Sequence, residues 1–531
     1  MNDKSKQTIE KIFGVYYTPD KITKFLSEWA ISDNNPISIL EPSAGDGRFV
    51  KDLHNLSPSS QITAIEIDGD ACKKIKSDKN ISVINDDFYN FYEKVKDSNR
   101  YDLVIGNPPY IRYQYLTSSQ RDYQSNILKR SGLRANKLIN AWVAFTVAGL
   151  ELVKDGGKFA FVMPTDIFQV TYAKQLRSLI FDKLDVVNVI TFDEIVFNKT
   201  QQDIVLVFGK KKPNKIAVGR YRSIKINGLD DLENIDIENE EIFTYTSGKD
   251  KWTELKLDKD LRKLYHGKFL EKTELFNNYA KVEVGITTGR NEYFAVNEDV
   301  IKAYDLRKYA IPLLGRSVEA SGLLYKDIDL ENNIKKGKNV WLLDFNNKRL
   351  NDGALSYIKY GEDNNLNLGY KLSLRDKWYE VPSIWNPDAF ILRRMGEFPK
   401  IVKNQINGTS TDTFHRLRIV ENQDIYKVLV LFYSSVTMLS IELESRVFGG
   451  GALEILPGDF KNIRIPKINN LDINYKNLAL EIDKLLRNKV PIEKVVKFVD
   501  RQIESSVTFT KEELDLINKS WIKLKNNRIG K

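Results

Sequence analysis

The segment DLVIGNPPYIRY, residues 102–113, runs from apolar residues into Asn107, Pro108, Pro109 and Tyr110. Two consecutive prolines cannot extend the hydrogen-bond ladder of a strand, so we expect the strand to end there. The side-chain oxygen of Asn107 and the main-chain carbonyl of Pro108 are two acceptors for the two hydrogens of a primary amine. The diproline restricts the backbone and fixes the direction of that carbonyl, and Tyr110 adds an aromatic ring beside it.

A second group of polar residues lies earlier in the chain. LEPSAGDGRF (40–49) has Glu41 at the end of a strand-like run, with Gly45 and Gly47 on either side of Asp46. This pattern is neither GxGxxG nor a phosphate-binding P-loop, and its carboxylates suit a cationic ligand better than a pyrophosphate. The two glycines allow the backbone to approach that ligand closely.

The next two strand ends also carry polar residues. Glu66, in AIEID, is suited to accept hydrogen bonds from both hydroxyls of a ribose. Asp87, in NDDF, is suited to accept from the amino group of an adenine, and Phe88 to cover its ring. Each carboxylate alone also fits a solvated loop residue. The ordered set favours S-adenosylmethionine, with its amino acid, ribose and base bound at successive strand ends.

The elements that must position these residues alternate between strand-like and helix-like segments from about residue 37 to 209. Such alternation is typical of an α/β fold with a doubly wound, mostly parallel, Rossmann-like sheet. In such sheets ligands bind outside the carboxyl ends of the strands, where the polar residues lie. We predict seven strands, in the segments ISILEPS, QITAIEID, ISVINDDF, YDLVIGNPPY, KFAFVMP, DVVNVITF and QDIVLVFGKK.

The alternation stops at a basic run, KKKPNK (210–215), which is followed by an acidic stretch at 230–242. We therefore place a domain boundary between about residues 213 and 250, and predict a catalytic domain over 1–245. The second predicted domain covers 246–531. It shows mixed strand and helix signals and ends in helices, so we expect a mixed α+β fold.

Composition narrows the class of protein. The chain has 531 residues, which is too long for one core, and 42% hydrophobic and 29% charged residues are typical of a globular protein. The net charge of +9 favours an acidic partner, most commonly nucleic acid. One cysteine and three histidines exclude an intrachain disulfide and disfavour a His- or Cys-based metal site. Without an 18-residue apolar run or a signal core, we predict no membrane association and a cytoplasmic location.

Together these motifs resemble the N6-adenine-specific DNA methyltransferases, in the TaqI-like and Eco57I-like group where the cofactor motif precedes the catalytic one. The resemblance covers roughly residues 12–209. GVYYTPDKI (14–22) is similar to the family's first motif, EPSAGDG to its cofactor loop, and EID and DDF to its next two elements. NPPY is similar to its catalytic tetrapeptide, FVMPTDIF to a fifth-strand motif, and EIVFNKTQQDIVLVFGKK to a segment that supplies an aromatic residue to a flipped base.

The resemblance implies a class I methyltransferase fold, S-adenosylmethionine as cofactor, no metal for the transfer, and extrusion of the target adenine from duplex DNA. It assigns catalysis to Asn107, Pro108, Pro109 and Tyr110, and stacking on the target base to Tyr110 and Phe197. The residues it assigns to cofactor binding are Tyr17, Thr18, Pro19, Glu41, Pro42, Ala44, Gly45, Gly47, Glu66, Ile67, Asp87, Phe88 and Asn107.

The second half resembles the target-recognition domains of the same family. VEVGITTGRNEYFAV (282–296) is similar to a stretch near their start, and RVFGGGALEILPGDFKNIRIP (446–466) to a segment that closes them. Between these lie basic segments with interleaved aromatic residues, suited to phosphates and base edges. We predict that duplex DNA contacts Thr288, Arg290, Asn291, Arg393, Arg394, Lys403 and Arg416.

Several alternatives stay open at the level of sequence. The same tetrapeptide is found in proteins that methylate glutamine in release factors or guanine N2 in ribosomal RNA. A bifunctional restriction enzyme and methyltransferase, or a non-catalytic DNA-binding module, are further alternatives. The sequence does not identify the DNA recognition site. It also leaves open whether the enzyme acts alone or with a separately encoded restriction endonuclease.

Overall fold

In the computed structural model, the described residues are 17–33, 36–135, 139–193, 196, 204–213, 219–245, 251–448, 451–469 and 473–530. The chain divides into two compact units, Met1–Leu257 and Asp258–Lys531. The predicted boundary after residue 245 falls slightly earlier in the chain than this division. The roles assigned to the two domains stay predictions.

The first unit is built on one large sheet with the strand order β3-β2-β1-β4-β5-β7-β6-β8-β9. Strands β1 to β5 pair in parallel, and β7 runs antiparallel between β5 and β6. The strands are β1 (Ser38–Glu41), β2 (Gln61–Glu66), β3 (Ile81–Asn85), β4 (Tyr101–Gly106), β5 (Val153–Pro164), β6 (Val186–Phe192), β7 (Ile204–Lys210), β8 (Gly219–Ile226) and β9 (Phe243–Tyr245).

Helices cover both faces of this sheet. They are α1 (Asp20–Ile31), α2 (Arg48–Leu56), α3 (Gly69–Cys72), α4 (Phe88–Val95), α5 (Ser118–Arg130), α6 (Ala141–Leu152) and α7 (Lys174–Lys183). Leu40 and Val104 pack in one hydrophobic cluster with residues of α4 and α6. Ile39 and Leu103, their neighbours in sequence, pack in a second cluster with residues of α1 and α2. Because successive strand residues point to opposite faces, both faces are buried, and the predicted doubly wound arrangement is confirmed.

The predicted number of seven strands is wrong, because the described sheet contains nine. Strand β8 pairs in parallel with β6, and β9 pairs antiparallel with β8. Strand β8, GRYRSIKI, carries charged residues at positions 220, 222 and 225, which interrupt its apolar pattern. All three charges are paired in the structure, Arg220 with Asp185 at 2.5 Å, Arg222 with Glu238 at 2.7 Å and Lys225 with Asp193 at 3.0 Å.

The second unit combines small sheets with helices. Its largest sheet has the order β11-β20-β16-β18-β14. The strands are β10 (Thr273–Leu275), β11 (Ala280–Val284), β12 (Ala295–Val296), β13 (Ala310–Leu314), β14 (Leu324–Tyr325), β15 (Trp341–Leu343), β16 (Ala389–Leu392), β17 (Arg394–Met395), β18 (Ile401–Asn404), β19 (Thr409–Ser410), β20 (Phe414–Ile419), β21 (Arg446–Phe448), β22 (Ala452–Glu454) and β23 (Arg464–Pro466).

Three long helices end the second unit, where the sequence predicts helices. The α-helices of the unit are α8 (Lys259–Leu264), α9 (Asn291–Phe294), α10 (Glu298–Ala303), α11 (Asp327–Lys335), α12 (Asp352–Asp363), α13 (Tyr370–Ser373), α14 (Ile425–Phe432), α15 (Ser435–Glu444), α16 (Tyr475–Arg487), α17 (Ile492–Ile503) and α18 (Lys511–Ile529).

No single helix among the described residues is long and apolar enough to cross a membrane. Helices α14 and α15 together reach that length and composition, but they meet at an angle of 74°. Most of their side chains are buried within the second unit.

Candidate active site

The carboxyl ends of three adjacent strands bring the predicted residues of the first unit together. Strand β1 pairs in parallel with β2 on one side and with β4 on the other. Glu41 ends β1, Glu66 ends β2, and Asn107 follows Gly106, the last residue of β4. Because the three strands run in the same direction, these side chains lie at one edge of the sheet.

The glycine loop after β1 is tied to the end of β2 by the Glu66 carboxylate. One oxygen of Glu66 accepts from the main-chain N–H of Gly45 at 2.7 Å, and the other accepts from Asp68 N–H at 2.9 Å. Both glycines of the loop have positive φ, +56° at Gly45 and +82° at Gly47, a region that other residues rarely adopt. The loop conformation therefore requires the glycines that the sequence supplies.

Glu41 is the most unusual group at this edge. Its side chain is only 2% exposed, and its Oε2 atom has no hydrogen-bond partner among the described residues. Burial raises the pKa of Glu41 well above its ordinary value, and the nearby negative charges of Glu66 and Asp46 raise it further. A buried carboxylate in this state is suited to accept a hydrogen bond from a cationic or N–H-bearing ligand.

Asn107 is held at both ends of its side-chain amide. Its Nδ2 donates to Oγ1 of the buried Thr18 at 3.1 Å, and its Oδ1 accepts from the Tyr110 hydroxyl at 2.9 Å. The main-chain carbonyl of Asn107 accepts from the hydroxyl of Ser43 at 2.9 Å. Residues from two predicted motifs thus fix the orientation of this amide, and Ser43, from the glycine-loop motif, holds the main chain of Asn107.

Arg48 and Ser43 belong to this network but were not predicted from the sequence. The Arg48 guanidinium donates to the main-chain oxygen of Thr18 at 3.1 Å, and its carbon lies 5.7 Å from the ring centroid of Tyr17. It also pairs with Asp46 at 3.1 Å. Arg48 directly follows the glycine loop, so its place in AGDGR was the available signal.

The other predicted residues of the first motif and the loop have structural contacts. The Pro19 carbonyl accepts from Ile22 N–H at 2.9 Å, next to the start of α1. The Ala44 N–H donates to the Ile65 carbonyl, also at 2.9 Å, and Pro42 packs close to Gly106. A small pocket joins the loop to the NPPY segment, and it is lined by Tyr17, Thr18, Glu41, Ser43, Ala44, Gly45, Asp46, Arg48, Phe49 and Asn107.

Three predicted cofactor residues lie further along the edge. Ile67 follows β2 and is 64% exposed, which is unusual for a large apolar side chain. The Asp87 carboxylate accepts from Tyr89 N–H at 2.8 Å and from Gln120 Nε2 at 2.7 Å, and so caps α4. The ring of Phe88 is buried against Phe145, with centroids 4.8 Å apart. In this structure Phe88 belongs to the core, and its contact with a cofactor ring stays a prediction.

The other residues predicted for catalysis and base stacking are Pro108, Pro109, Tyr110 and Phe197. Pro108 is buried, and Pro109 is half-buried. Tyr110 packs against both hydrophobic clusters of the sheet, and its hydroxyl also approaches the Val162 carbonyl at 3.3 Å. Phe197, the second predicted stacking residue, lies outside the described residues.

The turn at 287–291 in the second unit has a structural role where the sequence predicts DNA contacts. Thr288 is 1% exposed, and its hydroxyl donates to Asn291 Oδ1 at 2.5 Å. Arg290 donates to the Leu368 carbonyl at 2.7 Å and lies 3.2 Å from Glu292. Thr288 is therefore not presented to DNA, because its side chain is enclosed. Asn291 is exposed.

Arg416, one of the basic residues predicted to contact DNA, is also enclosed. Arg416 is only 3% exposed, and its guanidinium donates to the main-chain oxygens of Ser383 and Val284 at 2.6 and 3.2 Å. This burial corrects the prediction for Arg416, whose charge serves the packing of the largest sheet of this unit.

Two other predicted arginines, Arg393 and Arg394, both pair with the buried carboxylate of Glu454, at 3.1 and 2.8 Å. Their charges are partly neutralised in this structure. Lys403 is half-buried, with its Nζ 5.7 Å from the ring centroid of Tyr426.

No group of three or more His, Cys, Asp or Glu side chains is placed to hold a metal ion in the part of the chain that the structure describes.

Two family models match the chain. The model described as Eco57I restriction-modification methylase matches residues 13–197. The model described as Type II methyltransferase M.Eco57I, C-terminal domain, matches residues 249–504. The matches fall on the two halves that the sequence analysis separated.

Relatives of similar length also match. Type II methyltransferase M.AccI of Acinetobacter calcoaceticus is 25% identical over 534 residues, covering 90% of this chain and 94% of the relative. Type II methyltransferase M.XamI of Xanthomonas campestris pv. amaranthicola is 22% identical over 495 residues, covering 86% of each. Among solved structures, the type IIL restriction-modification enzyme MmeI in complex with DNA has a TM-score of 0.51 and 10% identity, covering 99% of this chain and 78% of that chain. This last likeness concerns the fold.

We predict that replacing Glu41 with Gln changes how stability depends on pH. Because the folded-state pKa of Glu41 is raised above its ordinary 4.5, the stability that depends on its protonated form is present below 4.5 and is lost as pH rises through the folded-state pKa. The melting temperature of Glu41→Gln relative to the unaltered protein should therefore increase between pH 5 and pH 8, as measured by differential scanning calorimetry.

Asp102→Asn is the matched control, since it also removes one carboxylate charge. Burial acts to raise the pKa of Asp102, but hydrogen bonds from Lys154 and Ser38 lower it overall. The contribution of the Asp102 carboxylate to stability is present above its ordinary pKa of 3.8. The difference in melting temperature between Asp102→Asn and the unaltered protein should therefore stay constant from pH 5 to 8. An equally flat difference for Glu41→Gln would contradict a raised pKa for the buried Glu41.

We predict that Gly47→Ala destabilises the protein more than Gly156→Ala. Both glycines have similar positive φ, +82° and +79°, so both substitutions carry a strain of about 1–2 kcal/mol. An added Cβ at Gly47 lies 2.8 Å from Ile75 Cγ1, whereas at Gly156 nothing lies within 4 Å. Urea unfolding should show the larger loss for Gly47→Ala, and equal losses would mean that the loop moves away from Ile75 without cost.

Proposed function

This chain belongs to the Eco57I-like restriction-modification methylases, and from that premise we propose that it methylates DNA. The reaction we propose is transfer of a methyl group from S-adenosylmethionine to the N6 amine of adenine in duplex DNA. The observation that carries the proposal is the amide of Asn107. Thr18 and Tyr110 fix this amide at the end of β4, beside a pocket with a buried, unpartnered carboxylate oxygen.

Asn107 and Pro108 account for the activation of the amine. The exocyclic amine of adenine is a poor nucleophile, because its lone pair is delocalised into the ring. Oδ1 of Asn107 accepts a hydrogen bond from one N–H of the amine, and the Pro108 carbonyl accepts a hydrogen bond from the other. These two bonds favour tetrahedral geometry at the nitrogen and localise its lone pair. The acceptors are preorganised for charge that develops on that nitrogen, so no strong base is needed.

The residues at the strand edge fit S-adenosylmethionine. The unpartnered Oε2 of Glu41 offers an acceptor to a cationic amino-acid group, and the glycine loop brings main-chain atoms close to it. Glu66 carries two carboxylate oxygens at the next strand end for ribose hydroxyls, and the exposed Ile67 offers an apolar surface for a base. When bound, the cofactor supplies an electrophilic methyl group on a sulfonium. The chain contributes alignment of that methyl with the amine.

We further propose that the target adenine leaves the duplex before it reacts, because its amine is out of reach inside the helix. Tyr110 stacks on one face of the extruded base, and Phe197 on the other. Stacking of this kind contributes roughly 1–3 kcal/mol per ring.

The second unit is proposed to recognise the DNA sequence. The predicted DNA contacts with exposed or half-buried side chains stay part of the proposal, and they are Arg290, Asn291, Arg393, Arg394 and Lys403. Thr288 and Arg416 support the unit from inside. Restriction-modification methylases protect DNA from a nuclease, so a separately encoded restriction endonuclease is the proposed partner, with a solitary methylating enzyme as the alternative.

The first test of this function is the choice of methyl acceptor. With labelled S-adenosylmethionine, the purified protein should label plasmid DNA but neither release factors nor ribosomes. Asn107→Ala should lower the single-turnover rate on DNA by about 10²–10³-fold, the range typical of losing one preorganised hydrogen-bonding group. Labelling of release factor or ribosomal RNA instead of DNA would favour the alternative acceptors, and an unchanged Asn107→Ala rate would remove Asn107 from the reaction.

A second test separates the orienting role of Thr18 from cofactor binding. Thr18→Val keeps the shape but removes the acceptor for Asn107 Nδ2, so the single-turnover rate at saturating cofactor should fall roughly 2- to 12-fold, corresponding to about 0.5–1.5 kcal/mol. Thr18→Ser keeps the hydroxyl and should restore most of the rate. If both variants lost only cofactor affinity, the role of Thr18 in orienting Asn107 would be wrong.

A further inference from the structure

The residues directly after the catalytic motif form a fixed turn that the reaction scheme does not use. A short 3₁₀ helix, Tyr113–Tyr115, follows Tyr110 after two residues. The Ile111 carbonyl accepts from the N–H of Ala141 at 2.9 Å, which ties the start of the turn to α6. Leu116 is buried and ends it. We call residues 111–116 the post-motif turn.

Arg121, in the first half of α5, fixes this turn through its guanidinium group. Its Nε donates to the Tyr113 carbonyl at 3.2 Å, and its Nη2 donates to the Gln114 carbonyl at 2.9 Å. The guanidinium carbon also lies 5.0 Å from the ring centroid of Tyr113. Three contacts from one side chain therefore preorganise the turn before any ligand is present.

The post-motif turn presents a cation and an aromatic ring on its outer side. Arg112 is exposed and Tyr115 is 48% exposed. Arg112 and Arg121 form no ion pair with a carboxylate of the described residues. Burial raises the pKa of Asp166, and the charges of Lys256 and Arg112 oppose that shift. Arg112 thus lies within electrostatic reach of Asp166 without being paired to it.

The short stretch of chain between Asn107 and Arg112 limits the distance between this turn and the amide of Asn107. Arg112 is five residues after Asn107, so the two lie at most about 18 Å apart even along a fully extended chain. A DNA strand advances about 3.4 Å per nucleotide. A nucleotide whose base contacts Asn107 therefore has strand neighbours within range of the turn.

We propose that the post-motif turn is the contact surface for the DNA strand that carries the target adenine. Arg112 binds a phosphate next to the target nucleotide. Tyr115 packs on the base that loses its stacking neighbour when the adenine leaves the helix. Such rings tolerate any sequence, because every base has an aromatic face. This inference rests on the proposed function, since it names the part of the chain that holds the strand for the same reaction.

Arg112→Ala tests the phosphate contact, and Arg100→Ala is its matched control. Arg100 is also exposed and donates to main-chain carbonyls, but it precedes β4 and so lies at the opposite edge of the sheet. With a plasmid fragment that the unaltered protein methylates, Arg112→Ala should reduce the slope of log Kd against log salt by about 1, independently of sequence. Arg100→Ala and Arg112→Lys should leave that slope unchanged.

Tyr115→Ala tests the stacking contact. It should weaken binding of the same fragment by about 5- to 150-fold, whereas Tyr115→Phe, which keeps the ring, should bind as the unaltered protein does. The signal of 2-aminopurine placed next to the target adenine should rise further on binding in Tyr115→Ala, because that base has lost its cover. Cofactor affinity and melting temperature are measured for each variant to show that it is folded.

The outcomes separate this inference from the proposed function. If the unaltered protein methylates DNA but Arg112→Ala and Tyr115→Ala match Arg100→Ala in slope, affinity and fluorescence, the turn does not contact the strand and only this inference fails. If the unaltered protein methylates no DNA, the proposed function fails first, and the inference with it.

Discussion

The parallel pairing of β1 with β2 and β4 is the constraint on which the site depends. It puts the ends of three strands from distant parts of the sequence at one edge of the sheet. Without this strand pairing, nothing would bring Glu41, Glu66 and Asn107 close together. The side chains then connect across that edge, since Glu66 binds the glycine loop and Thr18 binds Asn107. The first motif thereby lines the pocket and orients the amide of Asn107.

Burial of Glu41 at this edge has a free-energy cost for the folded protein. A carboxylate that is enclosed and lacks a partner for one oxygen destabilises the folded protein when it is charged. Glu41 is in that position, with two further carboxylates nearby. Glycines with positive φ are a second local constraint. Such departures from the most stable arrangement concentrate at functional sites, where binding offsets them.

Much of the first unit follows from its sequence, because hydrophobic periodicity and strand-end residues are local signals. Strands β1 to β7 belong to this class. The pairing of Arg48 with Thr18, and the anchoring of the post-motif turn by Arg121, depend on residues brought together only by the fold. Strand β8 was missed because its three charges, paired in the fold with Asp185, Glu238 and Asp193, resemble a polar segment.

The second unit shows the limit of inferring contacts from composition. A basic residue between aromatic residues is equally suited to a phosphate and to main-chain carbonyls. The guanidinium of Arg416 donates to the carbonyls of Val284 and Ser383, while Arg393 and Arg394 both form ion pairs with Glu454. Sequence cannot distinguish these uses, because they differ only in whether the side chain ends inside the fold or outside it.

We propose that the amide fixed at the end of β4 activates the N6 amine of adenine in DNA for methylation, at a sequence that the second unit recognises. Single-molecule sequencing of DNA from cells that express the protein tests this proposal, since the modified base and its context are recorded together. We expect N6-methyladenine in one recurring sequence context, and its absence in cells that express Asn107→Ala. DNA without modified adenine, or methylation on cytosine, would contradict it.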